Sequence, residues 1–314
     1  EIKEQVYMKQ PQGFDTGDGK VCKLIKTLYG LKQSPMEWNS CINDYLVSVG
    51  WKSIVSDQCV YTKTSTTNQI MIVWLFVDDV ISAYATIDEV EYNQFKVSFM
   101  KQFKTTDLGD ASWLLKMKII RDRKNRTLVL NQQLYIDKVV QQFKLQQSKH
   151  QSTPEKLSIK LTSNDCPISE QDKLEMKNYP YESIVGSLLY ASISTRPDIS
   201  HAVNQLSRYM RNPGIEHWKA GKTAVRYLNS TSNLGLKFTG FHTNTGKQKQ
   251  INTSAYCDAS WAGDVEDTKS TSGYLCYVGN NLISWMSKKQ TNVALSSTES
   301  ELYAASYATT ELQW

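Results

Sequence analysis

An apolar run from Gln69 to Phe76 (QIMIVWLF) gives way to Asp78 and Asp79 and resumes at Val80-Ile81-Ser82-Ala83. That profile predicts a β-hairpin with acidic residues at its turn. Two adjacent carboxylates beside apolar strands repel each other, and burial penalises their ionised forms. A divalent cation relieves both penalties. Mg²⁺ prefers hard oxygen ligands and is typically held by one or two carboxylates together with substrate phosphates. Two such ions can clamp the attacking and leaving oxygens of a phosphoryl transfer. Asp is also common in solvated turns, so the pair alone leaves that simpler reading open.

The hairpin sits in a chain with room for about two domains at the usual ~100–200 residues each. Residues 1–20 read as a loop with Pro11, Gly13, Gly17 and Gly19, followed by a short strand from Val21 to Tyr29. Ser34-Pro35-Met36-Glu37 reads as a helix start with a capping box, and Trp38, Ile42, Tyr45, Leu46 and Val49 continue at helical spacing to Gly50. Thr86-Ile87-Asp88-Glu89 reads as a second box, ahead of a helix with Phe95, Phe99 and Phe103 on one face. A second hairpin runs from Leu114 to Ile120 and from Thr127 to Leu130, across a Lys124-Asn125-Arg126 turn. Lys116, Lys118, Arg121, Arg123, Lys124 and Arg126 make it the most basic stretch. Residues 145–175 read as a polar linker, and 182–230 as two or three helices. Past a further polar stretch after Gly240, three strands and a helix starting near Thr298 close the chain.

Composition narrows the partners. A net charge of +5 permits an anionic partner without demanding one. Six cysteines with no C-x-x-C pair argue against a zinc site or a disulfide framework and suit reduced thiols inside a cell. No apolar run reaches the ~18 residues of a membrane span. The first methionine is Met8, and the chain ends at Trp314 inside a predicted helix, so both ends read as cuts in a longer protein.

Phe76-Val77-Asp78-Asp79 resembles the catalytic hairpin motif of reverse transcriptases in its copia-type retrotransposon form. Leu28-Tyr29-Gly30-Leu31-Lys32-Gln33-Ser34-Pro35 resembles the family's template- and nucleotide-contacting turn. Val6 to Pro11 resembles the segment after its first catalytic strand, and Asp107-Leu108-Gly109-Asp110 the turn after its palm helix. The four matches are ordered and correctly spaced. Farther on, Tyr181 to Tyr190, Thr195-Arg196-Pro197-Asp198-Ile199 and His217-Trp218-Lys219-Ala220 are similar to the copia-type connector. Asp258-Ala259-Ser260-Trp261, Lys269 to Tyr274, Ser284 to Gln290 and Ser296 to Ala305 resemble the start of a ribonuclease H.

The resemblance implies an α+β chain from a Pol polyprotein. Residues 1–150 would be part of a reverse transcriptase palm and thumb, 151–249 a linker and helical connection, and 250–314 the N-terminal half of a ribonuclease H-like mixed sheet with its helix. The implied activities are RNA-directed DNA synthesis and cleavage of RNA in RNA–DNA hybrids, with Mg²⁺ or Mn²⁺ as cofactor. Asp78 and Asp79 would serve the polymerase site as catalytic metal ligands, and Asp258 and Glu301 the nuclease site. Tyr29, Gly30, Lys32, Gln33, Ser34, Pro35, Lys116 and Lys118 would touch nucleic acid or nucleotide. Lys116 stands where the family usually has glycine. The family's leading polymerase aspartate and its closing nuclease carboxylates have no counterpart among these residues, which predicts an incomplete enzyme. Implied partners are RNA template, DNA primer, RNA–DNA hybrid, deoxynucleotides and the rest of the same polyprotein, and no membrane. The setting would be intracellular, in a cytoplasmic virus-like particle and the nucleus. A nucleic-acid-binding remnant without catalysis, or a decayed element copy, are the alternatives. Taken alone, Glu301 also fits a capping box with Thr298. Asp264 reads as a loop carboxylate.

Overall fold

The computed structural model describes residues 4–156, 158–240 and 252–313, and the chain divides into two compact units, Glu1–Asp110 and Ala111–Trp314. The polar stretch after Gly240, and with it the expected boundary near residue 250, falls outside the described residues.

In the first unit, β1 (Tyr7–Lys9) and β2 (Val21–Lys23) form a small antiparallel ribbon. The strand expected from Val21 to Tyr29 stops at Lys23, because its partner offers only three residues of backbone to pair with. Helix α1 (Ser34–Ser48) follows, and Gly50 turns the chain with φ +90°. Strands β3 (Lys52–Ser53), β4 (Val60–Thr64), β5 (Ile70–Phe76) and β6 (Asp79–Ala83) form an antiparallel sheet in sequential order, and α2 (Glu89–Phe103) follows them.

The apolar run in β5 is not buried on both sides. Met71, Val73 and Leu75 are buried with Ile42, Leu46, Trp51, Tyr61, Tyr92 and Phe99 in one core. Ile70, Ile72 and Phe76, on the opposite face, stay exposed. An antiparallel sheet needs only one covered face, so alternation wins over the bare run of apolar letters. Each fully buried aliphatic side chain here contributes about 1.5–3 kcal/mol. Phe95, Phe99 and Phe103 line one side of α2 in successive ring contacts, as the spacing predicts.

Neither expected capping box is built. The Ser34 hydroxyl donates back to the Leu28 carbonyl at 2.6 Å, and Gln33 occupies the cap position of α1 without a side-chain bond. Thr86–Asp88 form a 3₁₀ turn, and Asp88 points inward to accept from the Thr67 hydroxyl at 2.6 Å. Nearby tertiary partners outcompete local capping at both sites.

In the second unit, β7 (Trp113–Leu114), β8 (Met117–Asp122) and β9 (Thr127–Asn131) lead into α3 (Gln133–Gln142). The first arm of the predicted basic hairpin is thus two strands, β7 and β8. Residues 145–175 are more than a linker. They contain helix α4 (Glu170–Met176), and Leu145, Leu161 and Met176 pack into the core. That core is built mainly from α5 (Tyr181–Ser194), α6 (Ser200–Ser207) and α7 (Ile215–Ser230). Gly214 begins α7 where a Cβ would lie 1.7 Å from the Asp165 carbonyl oxygen, so only glycine fits. Strand β10 (Gly235–Thr239) then returns to pair with β9, giving the sheet order β10-β9-β8-β7. Last come β11 (Thr253–Ser260), β12 (Thr271–Val278) and β13 (Asn281–Lys289) as an antiparallel meander, with α8 (Ser297–Gln313). Ser300, Ala304 and Ala308 form the buried stripe of α8. Among the described residues no helix is long and apolar enough to cross a membrane.

Candidate active-site residues

The β5–β6 hairpin closes through a two-residue turn, Val77-Asp78, with Phe76 opposite Asp79. Asp78 and Asp79 are exposed, and neither carboxylate has a partner among the described residues. Val77 adopts φ +53°, a left-handed conformation that a β-branched residue takes only under strain. Its carbonyl accepts a 2.7 Å hydrogen bond from the indole Nε1 of Trp38, on the first turns of α1. Trp38 in turn packs edge-on against Phe103, with ring centroids 5.6 Å apart. The helix that follows the Leu28–Pro35 motif therefore buttresses the turn that presents the two aspartates.

The sequence marks Trp38 only as one residue of an apolar helix face, and no local pattern ties it to residue 77. Trp38→Phe keeps the ring and deletes the bond. It is expected to loosen the turn and cost about 1 kcal/mol of stability. A lowered urea midpoint at unchanged slope is the readout, and a wild-type midpoint would show that the bond does not hold the hairpin.

The Leu28–Pro35 motif forms the turn into α1. Leu31 N–H donates to the Leu28 carbonyl, and Ser34 N–H to the Leu31 carbonyl. Gly30 takes φ +93° with open space where a Cβ would be, and Tyr29 is 88% exposed. Lys32 and Pro35 are exposed, whereas Gln33 and Ser34 are half-buried. The motif thus presents an aromatic ring and an ammonium group to solvent.

Lys116 lies in the two-residue turn between β7 and β8, where Leu114 faces Met117. Leu115 and Lys116 have φ +47° and +63°. Positive φ at both central positions of a two-residue hairpin normally selects Asn-Gly, so glycine would suit this backbone better than lysine does. The Tyr190 hydroxyl donates to the Leu115 carbonyl and holds the turn against α5. Lys118 extends from β8 into solvent.

Asp258 and Glu301 stand on β11 and α8, which pack together. Asp258 pairs with Gly273, while its neighbour Ala259 pairs with Ser272 on the other side of the sheet. Ser272 is tied through Gln290 to the Ser300 carbonyl of α8, which marks that side as the helix-covered one. By strand alternation Asp258 points to the opposite side. It lines a cavity there with Asp198, His201, Thr271, Trp285 and Ser287. Glu301 is half-buried on α8 and is not among the cavity's lining residues.

The helix N-terminus itself is capped by Ser296, whose hydroxyl accepts from Glu299 N–H, while the Glu299 carboxylate accepts from Leu295 N–H at 2.7 Å. Capping therefore falls to Ser296 and Glu299 rather than to the Thr298–Glu301 pair. This leaves the Glu301 carboxylate without a partner among the described residues.

Asp264 is spent elsewhere. It is buried between Arg208 and Lys289, with Lys289 Nζ at 2.6 Å. Burial alone would push its carboxyl up, but Lys289, the Glu266 amide and the Arg208 charge outweigh that and bring it down to about 2. An ion-paired loop carboxylate of this kind is structural. Among the described residues, no group of three or more His, Cys, Asp or Glu side chains is close enough together to hold a metal ion. Asp78 and Asp79 nonetheless are two unpaired carboxylates adjacent in sequence, which fits a cation that also takes ligands from substrate phosphates.

A paired-carboxylate hairpin, an exposed turn carrying Tyr29 and Lys32 and the helix tying them together lie in a stretch that matches a polymerase family. Residues 1–157 match the family model described as reverse transcriptase (RNA-dependent DNA polymerase). The whole chain is 40% identical to the retrovirus-related Pol polyprotein from transposon TNT 1-94 of Nicotiana tabacum, covering 23% of that protein. It is 35% identical to the Pol polyprotein from transposon RE2 of Arabidopsis thaliana, covering 20%. Over 98% of its length it is 31% identical to a Ty5-1 transposon protein of Saccharomyces cerevisiae, covering 96% of that protein. No solved structure matches. The chain belongs to the reverse transcriptase family, in the form carried by Pol polyproteins of copia-type retrotransposons. It spans about a fifth of the length of the first two of these relatives.

Proposed function

We propose that Asp78 and Asp79 are the metal-holding carboxylates of an RNA-directed DNA polymerase and that Asp258 and Glu301 serve a ribonuclease H acting on RNA–DNA hybrids. The observation that carries the polymerase reading is the exposed, unpartnered Asp78–Asp79 pair on a strained and buttressed turn, within a chain of this family. Bound Mg²⁺ or Mn²⁺ would supply charge stabilisation for phosphoryl transfer from a deoxynucleotide to a primer 3′-hydroxyl. The chain's own part is to fix the two carboxylates and to present Tyr29, Gly30, Lys32, Gln33, Ser34 and Pro35 toward template and nucleotide. Lys116 and Lys118 offer ammonium groups to phosphate.

On this reading residues 1–150 belong to palm and thumb, 151–249 to a connection, and 250–314 to the nuclease. The order β11-β12-β13-α8 supports the nuclease assignment, while Asp258 faces the side of the sheet away from α8 and so stands apart from Glu301. Template RNA, primer DNA and other segments of the polyprotein are the partners. The particle and the nucleus are the places where such an element works. The experiment is primer extension and hybrid cleavage by a polyprotein containing these residues, with Asp79→Asn and Asp258→Asn each expected to remove one activity.

A second reading is favoured by one observation. Tyr29 is 88% exposed, with Lys32 exposed close by on the turn into α1. A chain that binds nucleic acid without catalysis accounts for that. Salt-sensitive binding to an RNA–DNA duplex with no primer extension by the 314-residue chain is its expected signature.

A further inference from the structure

His217 is the one fully buried histidine among the described residues, in the first turn of α7. Its ring stacks on Tyr209 with centroids 4.1 Å apart and meets Tyr181 edge-on. Nδ1 accepts a 2.9 Å hydrogen bond from the amide of Gly214, the N-cap residue of α7. A ring nitrogen that accepts carries no proton, so the neutral ring keeps its proton on Nε2. Nε2 is buried and completes no hydrogen bond among the described residues, with the Thr162 backbone beside it.

A second proton has no acceptor here. On Nδ1 it would set a donor against the Gly214 donor. The Tyr209 hydroxyl donates to the Leu161 carbonyl and the Tyr181 hydroxyl to the Leu206 carbonyl, both at 2.8 Å. The charged groups around the ring are Asp165 in the 3₁₀ turn Ser163–Asp165, Glu266 in the loop between β11 and β12, and Glu216 on α7 itself. Arg208 lies over the Tyr209 ring at 5.5 Å. Burial outweighs the three carboxylates and holds the imidazole below its ordinary value of 6.5.

Three segments meet at this ring. The turn Ser163–Asp165 presses against Gly214, where a Cβ would lie 1.7 Å from the Asp165 carbonyl oxygen. The Ser163 amide donates to the Glu266 carboxylate, and Arg208 pairs with Asp264 of the same loop. We infer that His217 is an acid-sensitive joint of the second unit: neutral, it caps α7 and closes the contact among helix, turn and loop, and protonated, it releases the Gly214 amide and opens that contact.

The direction follows from linkage. The unfolded chain takes up the proton near 6.5 and the folded chain only at lower pH. The stability contributed by the neutral ring is therefore full above about 6.5, falls as pH drops through that value, and levels off once the folded ring also protonates. Asp264, at about 2, and Asp198, below the ordinary carboxylate range, lose their contributions only in more acid solution. The His201–Glu155 pair has the opposite sign, because the hydrogen bond to Glu155 raises that ring, and it is common to the proteins compared.

The test is urea unfolding of the whole isotope-labelled 314-residue chain at pH 7.5 and 5.5, followed by the amide resonances of α7. The wild-type midpoint is expected to fall by roughly 0.5 M at the lower pH. His217→Gln should show no such fall, since glutamine at this helix position can still accept from the N-cap amide and does not titrate. Equal falls in the two proteins would overturn the joint. The imidazole nitrogen resonances of the folded wild type give a second reading that needs no variant. They should show a proton on Nε2 alone down through pH 6, and a ring that takes up a second proton near 6.5 with the α7 resonances unmoved would also overturn it.

Discussion

Asp79→Asn, in a Pol polyprotein containing these residues, is expected to lower Mg²⁺-dependent primer extension by more than about 100-fold, beyond the 10–100-fold typical of losing an outer-shell partner of a metal ligand. Asparagine keeps the size and the turn propensity of aspartate and removes the charge. The hairpin should therefore still form, because Asp79 contributes its backbone to the pair with Phe76 and its side chain to no bond among the described residues. A large kinetic loss without a stability loss is the signature of a ligand. Asp78→Asn should behave alike, whereas Asp264→Asn should lower stability, because it strips charge from a carboxylate held by Arg208 and Lys289. Extension that survives both substitutions would remove the polymerase role from this turn.

Arg196→Leu is expected to destabilise the second unit by about 2–4 kcal/mol, the upper part of the range for breaking a buried charge network tempered by partial exposure of one partner. Arg196 is 1% exposed. Its Nε donates to Asp198 at 2.9 Å, Nη2 to Asp198 and the Thr231 hydroxyl, and Nη1 to the Thr231 carbonyl at 3.0 Å. The Tyr227 hydroxyl adds a 2.7 Å bond to Asp198. Burial works to raise the Asp198 carboxyl, but the Arg196 guanidinium holds it below the ordinary carboxylate range. Leucine fills much of the volume and satisfies none of these acceptors. Lysine should recover only part, because it lacks the planar fork. A shift in the urea midpoint at unchanged slope is the readout, and an unchanged midpoint would mean that the network is incidental. The Thr195–Ile199 motif then ties α5 to α7 and has a packing role whatever else it does.

Much of this was readable from spacing. The β5–β6 hairpin, the phenylalanine stripe of α2, the three helices between 181 and 230 and the closing three strands with α8 all follow periodicities of two or 3.6 residues. Capping goes to other partners than the Ser34–Glu37, Thr86–Glu89 and Thr298–Glu301 spacings suggest. The Ser34 hydroxyl bonds to Leu28, Asp88 turns toward Thr67, and Ser296 caps α8 ahead of Thr298. Pairings across long separations left no local trace. The return of β10 to β9 and the indole of Trp38 under Val77 are examples. For the site, the two adjacent aspartates carry a local signal of their own. Which side of the sheet Asp258 faces becomes definite only with the register against β12.

Metal binding at the hairpin is the most direct check. Mn²⁺, titrated into isotope-labelled chain in the presence of deoxynucleotide, broadens the amide resonances nearest to where it binds. The expected result is selective broadening of residues 76–80, lost in the Asp78→Asn, Asp79→Asn double variant while the rest of the spectrum stays folded. Broadening centred elsewhere, or the same at residues 76–80 with and without the two carboxylates, would contradict a polymerase metal site at this turn.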